Sequence, residues 1–267
     1  ETLSRKSGNV KSASSKSETL SRKSNFKLSW SHYLLLMKIE NVSERRFYEI
    51  ESVNESWSVR ELKRQFNSGL YERLTYSRNK KKVKELSKKG QVIRKPEDAI
   101  KDPYILEFLS LKEYESYSEE ELETALISKL KDFILELGKG FLFVERQYRI
   151  TFDEKHFRID LVLYNRILKC FVLVDLKIGD LEHKDIGQMQ MYINYFDDEV
   201  KEKDENKTIG IIMCKTKTEN VVKYTIPKGF NQIFTSKYKT YLPPKKDLQL
   251  LMEPGEVYTV KKNNEHN

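Results

Sequence analysis

Apolar positions recur along this chain with two different periods, and the change of period divides it. Between residues 44 and 74 the spacing is helical. One helix is predicted over residues 44–52. A second starts at Ser58, which has the capping-box spacing with Glu61, and Leu62, Phe66, Leu70 and Leu74 form its apolar face. Joined through residues 53–57, the two helices are compatible with a helix-turn-helix whose second member presents Arg60, Lys63, Arg64 and Arg73. Helical spacing returns after a cap at Ser118 and Glu121, where Leu122, Leu126, Leu130, Phe133 and Leu137 make a stripe that Gly138 ends. The period then shortens to that of strands, predicted at residues 141–150, 157–164 and 169–177. A helix over 184–200, a strand at 209–214, a short helix at 219–224 and a last strand at 232–237 follow. Strands interleaved with helices specify an α/β C-terminal domain.

Composition adds a charge argument. Of 267 residues, 38% are hydrophobic and 34% charged, so a core is available beneath a heavily ionised surface. The 49 Lys+Arg against 41 Asp+Glu leave +8, which excludes an acidic solvating protein and fits a polyanion partner. Residues 78–95 hold nine basic side chains against Glu85 alone, a surplus equal to that of the whole chain. A solvated surface loop is the plain reading. The concentration nevertheless makes Lys80, Lys81, Lys82, Lys84, Lys88 and Lys89, with Arg60 and Arg64, the candidate phosphate-backbone contacts.

The segments sort into a Ser-rich basic arm (1–25), in which ETLSRKS occurs twice, and a mainly helical N-terminal module (26–110). An α/β domain (115–253) and a flexible tail (254–267) follow, with the junction placed between Pro103 and Ser118. Cys170 and Cys214 are too few for a disulfide framework and have no zinc spacing, so both read as buried thiols. No apolar run approaches the ~20 residues of a membrane span, and no apolar leader opens the chain. The expected location is the cytoplasm, with no membrane partner.

The candidate chemistry lies on the second and third strands. Alternation places Ile159, Leu161 and Leu163 on one face and Val172, Val174 and Leu176 on the matching face of the next strand. If a loop with an even number of residues joins them, for example a tight turn containing Asn165, both aliphatic rows meet the core and Asp160 shares the other face with Asp175 and Lys177. For a lone Asp-x-Lys the plain reading is an ion pair at a wet sheet edge. A second aspartate changes that, because two hard carboxylates can hold Mg²⁺ with waters still attached, and a neighbouring lysine can orient water or stabilise charge on a phosphate. His156 and His183 flank the hairpin without a Ser or Cys nucleophile, and there is no Gly-rich phosphate loop.

Asp160 followed by Asp175-Leu-Lys177 resembles the PD-(D/E)xK nuclease motif. FVLVDLKIGDLEHKDIGQMQMYINYFDDEV and TIGIIMCK resemble the bacterial YhcG-like family, and LSWSHY with FYEIESVNESWSVRELKRQFNSGLYERL resembles that family's N-terminal domain. The likeness runs from about residue 26 to 242. It implies a restriction-endonuclease-like mixed sheet flanked by helices, behind a helical module for which a winged-helix form stays open. It also implies Asp160 and Asp175 as ligands of Mg²⁺, with Mn²⁺ as a substitute, and Lys177 beside the nucleophilic water. Glu136 looks like the family's upstream acid, with a plain surface Glu as the alternative. Gln188 and Tyr192, at i and i+4, look like supporting site residues, with core packing beside Tyr195 and Phe196 as the alternative for Tyr192. Two departures stand out: Ile159 occupies the proline position, and Asp175 is one methylene shorter than the more frequent Glu. The implied function is a metal-dependent DNA nuclease. The alternatives are a non-catalytic nucleic-acid or protein-interaction module, or an RNA-processing nuclease. A homodimer stays open, because many duplex-cutting nucleases pair two sites.

Overall fold

The computed structural model describes residues 26–76, 80–111, 117–216, 219–226 and 230–243. The duplicated ETLSRKS segment, Arg78 and the 254–267 tail lie outside the described residues.

The N-terminal region is helical: α1 (Trp30–Leu36), α2 (Val42–Asn54), α3 (Val59–Asn67), α4 (Leu70–Tyr76), α5 (Lys80–Lys89) and α6 (Pro96–Ala99). Asn41 caps α2 by accepting from the Ser43 and Glu44 amides. Ser58 caps α3 by accepting from the Glu61 amide at 3.1 Å, but Glu61 does not close the box, because its carboxylate accepts from Gln65. The predicted face Leu62–Leu74 is split between α3 and α4 at Ser68-Gly69, where Gly69 has φ 61°. Leu62, Leu70 and Leu74 still share one core with Leu36, Phe47, Tyr48 and Leu86. The lysine-rich stretch forms a helix, not a loop, from residue 80 to 89. No strand occurs among the described residues before Tyr104, so a wing has no counterpart there.

The α/β part contributes β1 (Tyr104–Ile105), α7 (Glu119–Ser128), α8 (Leu130–Leu137), β2 (Phe141–Phe152), β3 (Lys155–Asn165) and β4 (Cys170–Asp180). It continues with α9 (His183–Tyr195), a π-helical turn (Phe196–Val200), β5 (Ile209–Thr216), α10 (Glu219–Thr225) and β6 (Ile233–Lys239). Ser118 and Glu121 form a complete capping box on α7. The helix expected to run unbroken to Leu137 pauses at Lys129. Six strands make one mixed sheet in the order β1-β6-β5-β4-β3-β2. β2, β3 and β4 are antiparallel, whereas β4, β5, β6 and β1 are parallel.

Helices cover both faces. Leu161, Leu163, Val172, Val174 and Leu176 pack with Leu122, Leu126, Phe133 and Leu137 of α7 and α8. Val162, Leu173, Ile212 and Cys214 face the α9 side with Ile186, Met189 and Ile193. There α9 lies so near β5 that a Cβ on Gly210 would clash with Met189 Sδ. The turn between β3 and β4 is residues 166–169, an even number, with Asn165 Oδ1 accepting from the Ile167 and Leu168 amides. This gives the register the alternation predicts.

Ile159 departs from it. It belongs to the α9-side core, opposite Leu161. Pairing of β3 with β4 stops at Leu161↔Val174, and the β2–β3 ladder skips Gln147 and Asp160, where Gln147 takes φ 49°. The strand turns over at that point, so alternation is interrupted at the residue of interest.

Candidate active site

Asp160 lies where β3 leaves β4. Its Oδ2 accepts the Leu176 amide at 2.7 Å, and its Oδ1 receives Gln147 Nε2 at 3.3 Å. Two residues along β4 from Leu173, Asp175 points toward the α9 layer and is 3% exposed. Lys177 Nζ stands 3.0 Å from Asp175 Oδ2 and 3.7 Å from Glu119 at the start of α7. Beyond Lys177, that buried Asp175 oxygen has no hydrogen-bond partner among the described residues. The three residues are therefore held together at one end of the sheet, between the N-terminal turns of α7 and α9.

Charge is concentrated here beyond what one lysine neutralises. Burial raises the Asp160 carboxyl above the usual range; the Leu176 amide opposes this, and Glu123 and Glu119 add to it. Burial, and then the Asp160 charge, lift Asp175 to about 7 against the pull of Lys177. Burial disfavours the Lys177 ammonium, but Asp175 and Glu119 outweigh it and hold the group above the ordinary lysine range. Among the described residues no cluster of three His, Cys, Asp or Glu side chains is placed to hold a metal ion.

Glu136 is elsewhere. It is fully buried on α8, where Arg73 Nη1 donates to Oε1 at 2.6 Å, Arg64 Nη2 to Oε2 at 3.2 Å and the Ile105 amide to Oε1 at 3.0 Å. Lys101 Nζ donates to its carbonyl oxygen. Burial raises Glu136, but Arg73, Lys101 and Arg64 overcome it and bring the carboxyl down to about 2. Neither the upstream-acid expectation nor the exposed-Glu alternative fits this position. Glu136 binds the helical module to the sheet edge.

Glu123, one helix earlier, is an acid near this grouping that sequence reasoning did not single out. Its Oε2 receives Gln147 Nε2 at 2.6 Å, and the same amide reaches Asp160. The signal was its i, i+3 relation to Leu126 on the buried face of α7, just past the acidic first turn of Glu119, Glu120 and Glu121, whose charges read as ordinary helix-terminal acids.

Gln188 donates to the Tyr192 hydroxyl, which donates to the Arg158 carbonyl at 2.9 Å. Tyr192 is buried in the α9-side core, and burial followed by the Asp175 and Asp160 charges raises its pKa. Core packing and proximity to the site hold at once.

The nucleic-acid candidates divide. Arg64 is 14% exposed at its side chain and spends its guanidinium on Glu107, Glu136 and the Ile105 carbonyl, which removes it from the set of free phosphate contacts. Arg60 is exposed and lines a cleft of about 760 Å³ with Trp57, Lys63, Phe108 and Lys131, which shares no residue with the Asp160 site. Lys88 and Lys89 are exposed at the end of α5, whereas Lys80, Lys81, Lys82 and Lys84 are described only in backbone.

A mixed six-stranded sheet between helical layers is the restriction-endonuclease-like architecture of PDDEXK nuclease domains. The chain belongs to the YhcG family of these: residues 97–253 match the YhcG PDDEXK nuclease domain, and residues 9–73 match the DUF1016 N-terminal domain. A relative from Escherichia coli (strain K12), described as "Putative nuclease YhcG", is 42% identical over 231 residues, covering 86% of this chain. This chain spans 61% of that protein's length. A repair endonuclease from Pyrococcus abyssi aligns at 21% identity with a TM-score of 0.31, over 49% of this chain and 50% of that one. A structure of an EndoMS–dsDNA complex aligns at 16% identity with a TM-score of 0.31, over 51% of this chain and 50% of that one. Among the described residues no helix is long and apolar enough to cross a membrane.

Proposed function

We propose that the chain hydrolyses phosphodiester bonds in DNA with a divalent cation, Mg²⁺ by preference and Mn²⁺ as substitute. In this reading the α/β part, which includes β1 (Tyr104–Ile105) at the edge of its sheet, is catalytic, and the helices before it serve binding or partner contact. The observation that carries it is the Asp160–Asp175–Lys177 grouping, with two buried carboxylates beside one ammonium. The residues fit a hard cation. Their donors are carboxylate oxygens, and burial, then the Asp160 charge, raises Asp175, a penalty that a second positive charge beside Lys177 would relieve. Two protein ligands suit an ion that keeps several waters.

Asp160 and Asp175 would hold the cation, which supplies Lewis acidity toward the scissile phosphoryl group. Asp160 is kept in place by the Leu176 amide. Lys177, fixed by Asp175 and Glu119, stays cationic and would donate toward the attacking water or the charge growing on the phosphoryl oxygens. Glu123, braced through Gln147, adds an acceptor for water on the α7 side. Gln188 and Tyr192 fix the Arg158 end of β3 beneath Asp160.

The test is incubation of plasmid, linear duplex, single-stranded DNA and RNA with Mg²⁺ or Mn²⁺, alongside Asp175→Ala and Lys177→Ala. Cation-dependent DNA cleavage that both substitutions abolish supports the reading. Binding without cleavage by the wild type favours an interaction module, and cleavage confined to RNA favours an RNA-processing enzyme.

A further inference from the structure

The distal half of the β2–β3 hairpin has an exposed cationic face that the fold does not explain. Arg149 and Arg158 are directly opposite each other in the ladder, as are Thr151 and His156. Arg149 Nη2 lies 2.8 Å from His156 Nε2, and Thr151 Oγ1 lies 3.0 Å from His156 Nδ1, so these side chains share one face. Ile150 and Ile159 are buried on the other, in the α9-side core. Arg149, His156 and Arg158 are exposed, and neither arginine has a carboxylate partner among the described residues.

Like charges directly opposite in a sheet are destabilising, and a fold has no use for the pair as such. An anion set between them reverses the sign. Position identifies which anion. Arg158 is two residues before Asp160 on the same strand, roughly 7 Å away, and His156 is roughly 13 Å away. The first turn of α7 is acidic, with Glu119, Glu120 and Glu121, and Glu119 already engages Lys177. A polyanion approaching the carboxylates is therefore drawn toward the distal hairpin and repelled from the start of α7.

We infer that the β2–β3 hairpin, through Arg149 and Arg158 with His156 beside them, is the arm that grips the sugar–phosphate backbone on one side of the scissile bond. This rests on the nuclease reading and adds the direction from which substrate enters. It also moves the principal phosphate contact away from the lysine-rich helix α5, to residues that sequence reading passed over because their charges are dispersed along the strands.

The experiment measures binding of a fluorescent DNA duplex and a single strand by anisotropy, with Ca²⁺ in place of Mg²⁺, across a salt series. Proteins compared are the wild type, Arg149→Gln/Arg158→Gln, Arg149→Lys/Arg158→Lys, and a matched control, Lys203→Gln/Lys207→Gln, near the start of β5. The inference expects the Gln pair to weaken binding roughly tenfold and to flatten the log–log salt slope by about 1.8, at ~0.9 for each lost contact. The Lys pair should keep most affinity, and the control should match wild type. The Gln pair should melt at or above the wild-type temperature, since the repulsion is relieved. Wild-type affinity and slope in the Gln pair, or an equal loss in the control, would overturn the inference while the nuclease reading survives through cleavage. A wild type that neither binds nor cuts either nucleic acid overturns both.

Discussion

The Asp160 carboxylate accepts the Leu176 amide at 2.7 Å, just past the last paired residues of β3 and β4. A side chain thus supplies the acceptor that a continued ladder would take from the backbone, and the acid of the site is fixed by the sheet itself. Asp160→Asn keeps an oxygen for Leu176 and removes the charge. It should fold normally while cation affinity, measured by calorimetry, falls at least about 10–100-fold. Asp160→Ala also strands the amide and should cost about 1–3 kcal/mol in urea denaturation.

Lys177 and Glu123 separate chemistry from architecture. Lys177→Ala should lower the cleavage rate by about 10²–10⁴-fold. Glu123→Gln should reduce it by about 10–100-fold with little change in melting temperature, because burial already disfavours the Glu123 charge. Single-turnover rates at saturating cation check both, and an unaltered Glu123→Gln rate would remove that residue from the site.

Asp175 makes the cation-free protein sensitive to pH. With its carboxyl raised to about 7 in the fold, the native state binds more protons than the unfolded chain from the ordinary aspartate range up to that value. Its contribution to stability is therefore complete at acid pH and is lost as pH rises through neutrality. At pH 8 without divalent cation, Asp175→Asn should be more stable than wild type by a few kcal/mol, and the gap should close at pH 4. Denaturant titrations at the two pH values decide it.

Glu136 should behave in the opposite way. Its carboxyl, down at about 2, stabilises the fold above the ordinary Glu range, and that contribution disappears as pH falls through 4.5 toward 2. Glu136→Ala strands the fully buried Arg73 and should cost about 3–5 kcal/mol. Folded material should still cleave DNA, which is the result that distinguishes an anchoring acid from a catalytic one.

Gly210 is held by space rather than by backbone conformation. Gly210→Ala drives a methyl into Met189 and Ile193 of α9 and should destabilise by about 1–3 kcal/mol, read by thermal melting.

Period and spacing made the α/β order, the hairpin register and the Asp160–Asp175–Lys177 grouping legible, since each depends on local alternation and on an even turn. Ile159 was misplaced because alternation assumes a regular strand, and the skipped Gln147–Asp160 pair turns β3 over between residues 159 and 161. Glu136 was misread because its stripe position shows that it is near a core but not which core. Its partners Arg64 and Arg73 come from 72 and 63 residues away. Glu123 was hidden for the converse reason: an acid early in a helix has a sufficient local explanation, and only the Gln147 contact from β2 reveals a second one.

The helical module is fastened to β1, where Arg64 donates to the Ile105 carbonyl and Arg73 to that of Pro103. Strand β4 stands three places further along the sheet. At ~4.8 Å per strand that interval is roughly 14 Å, the rise of about four base pairs. Any single molecule that touches both the β1 attachment of the helices and the Asp175 carboxylate on β4 therefore spans at least that length.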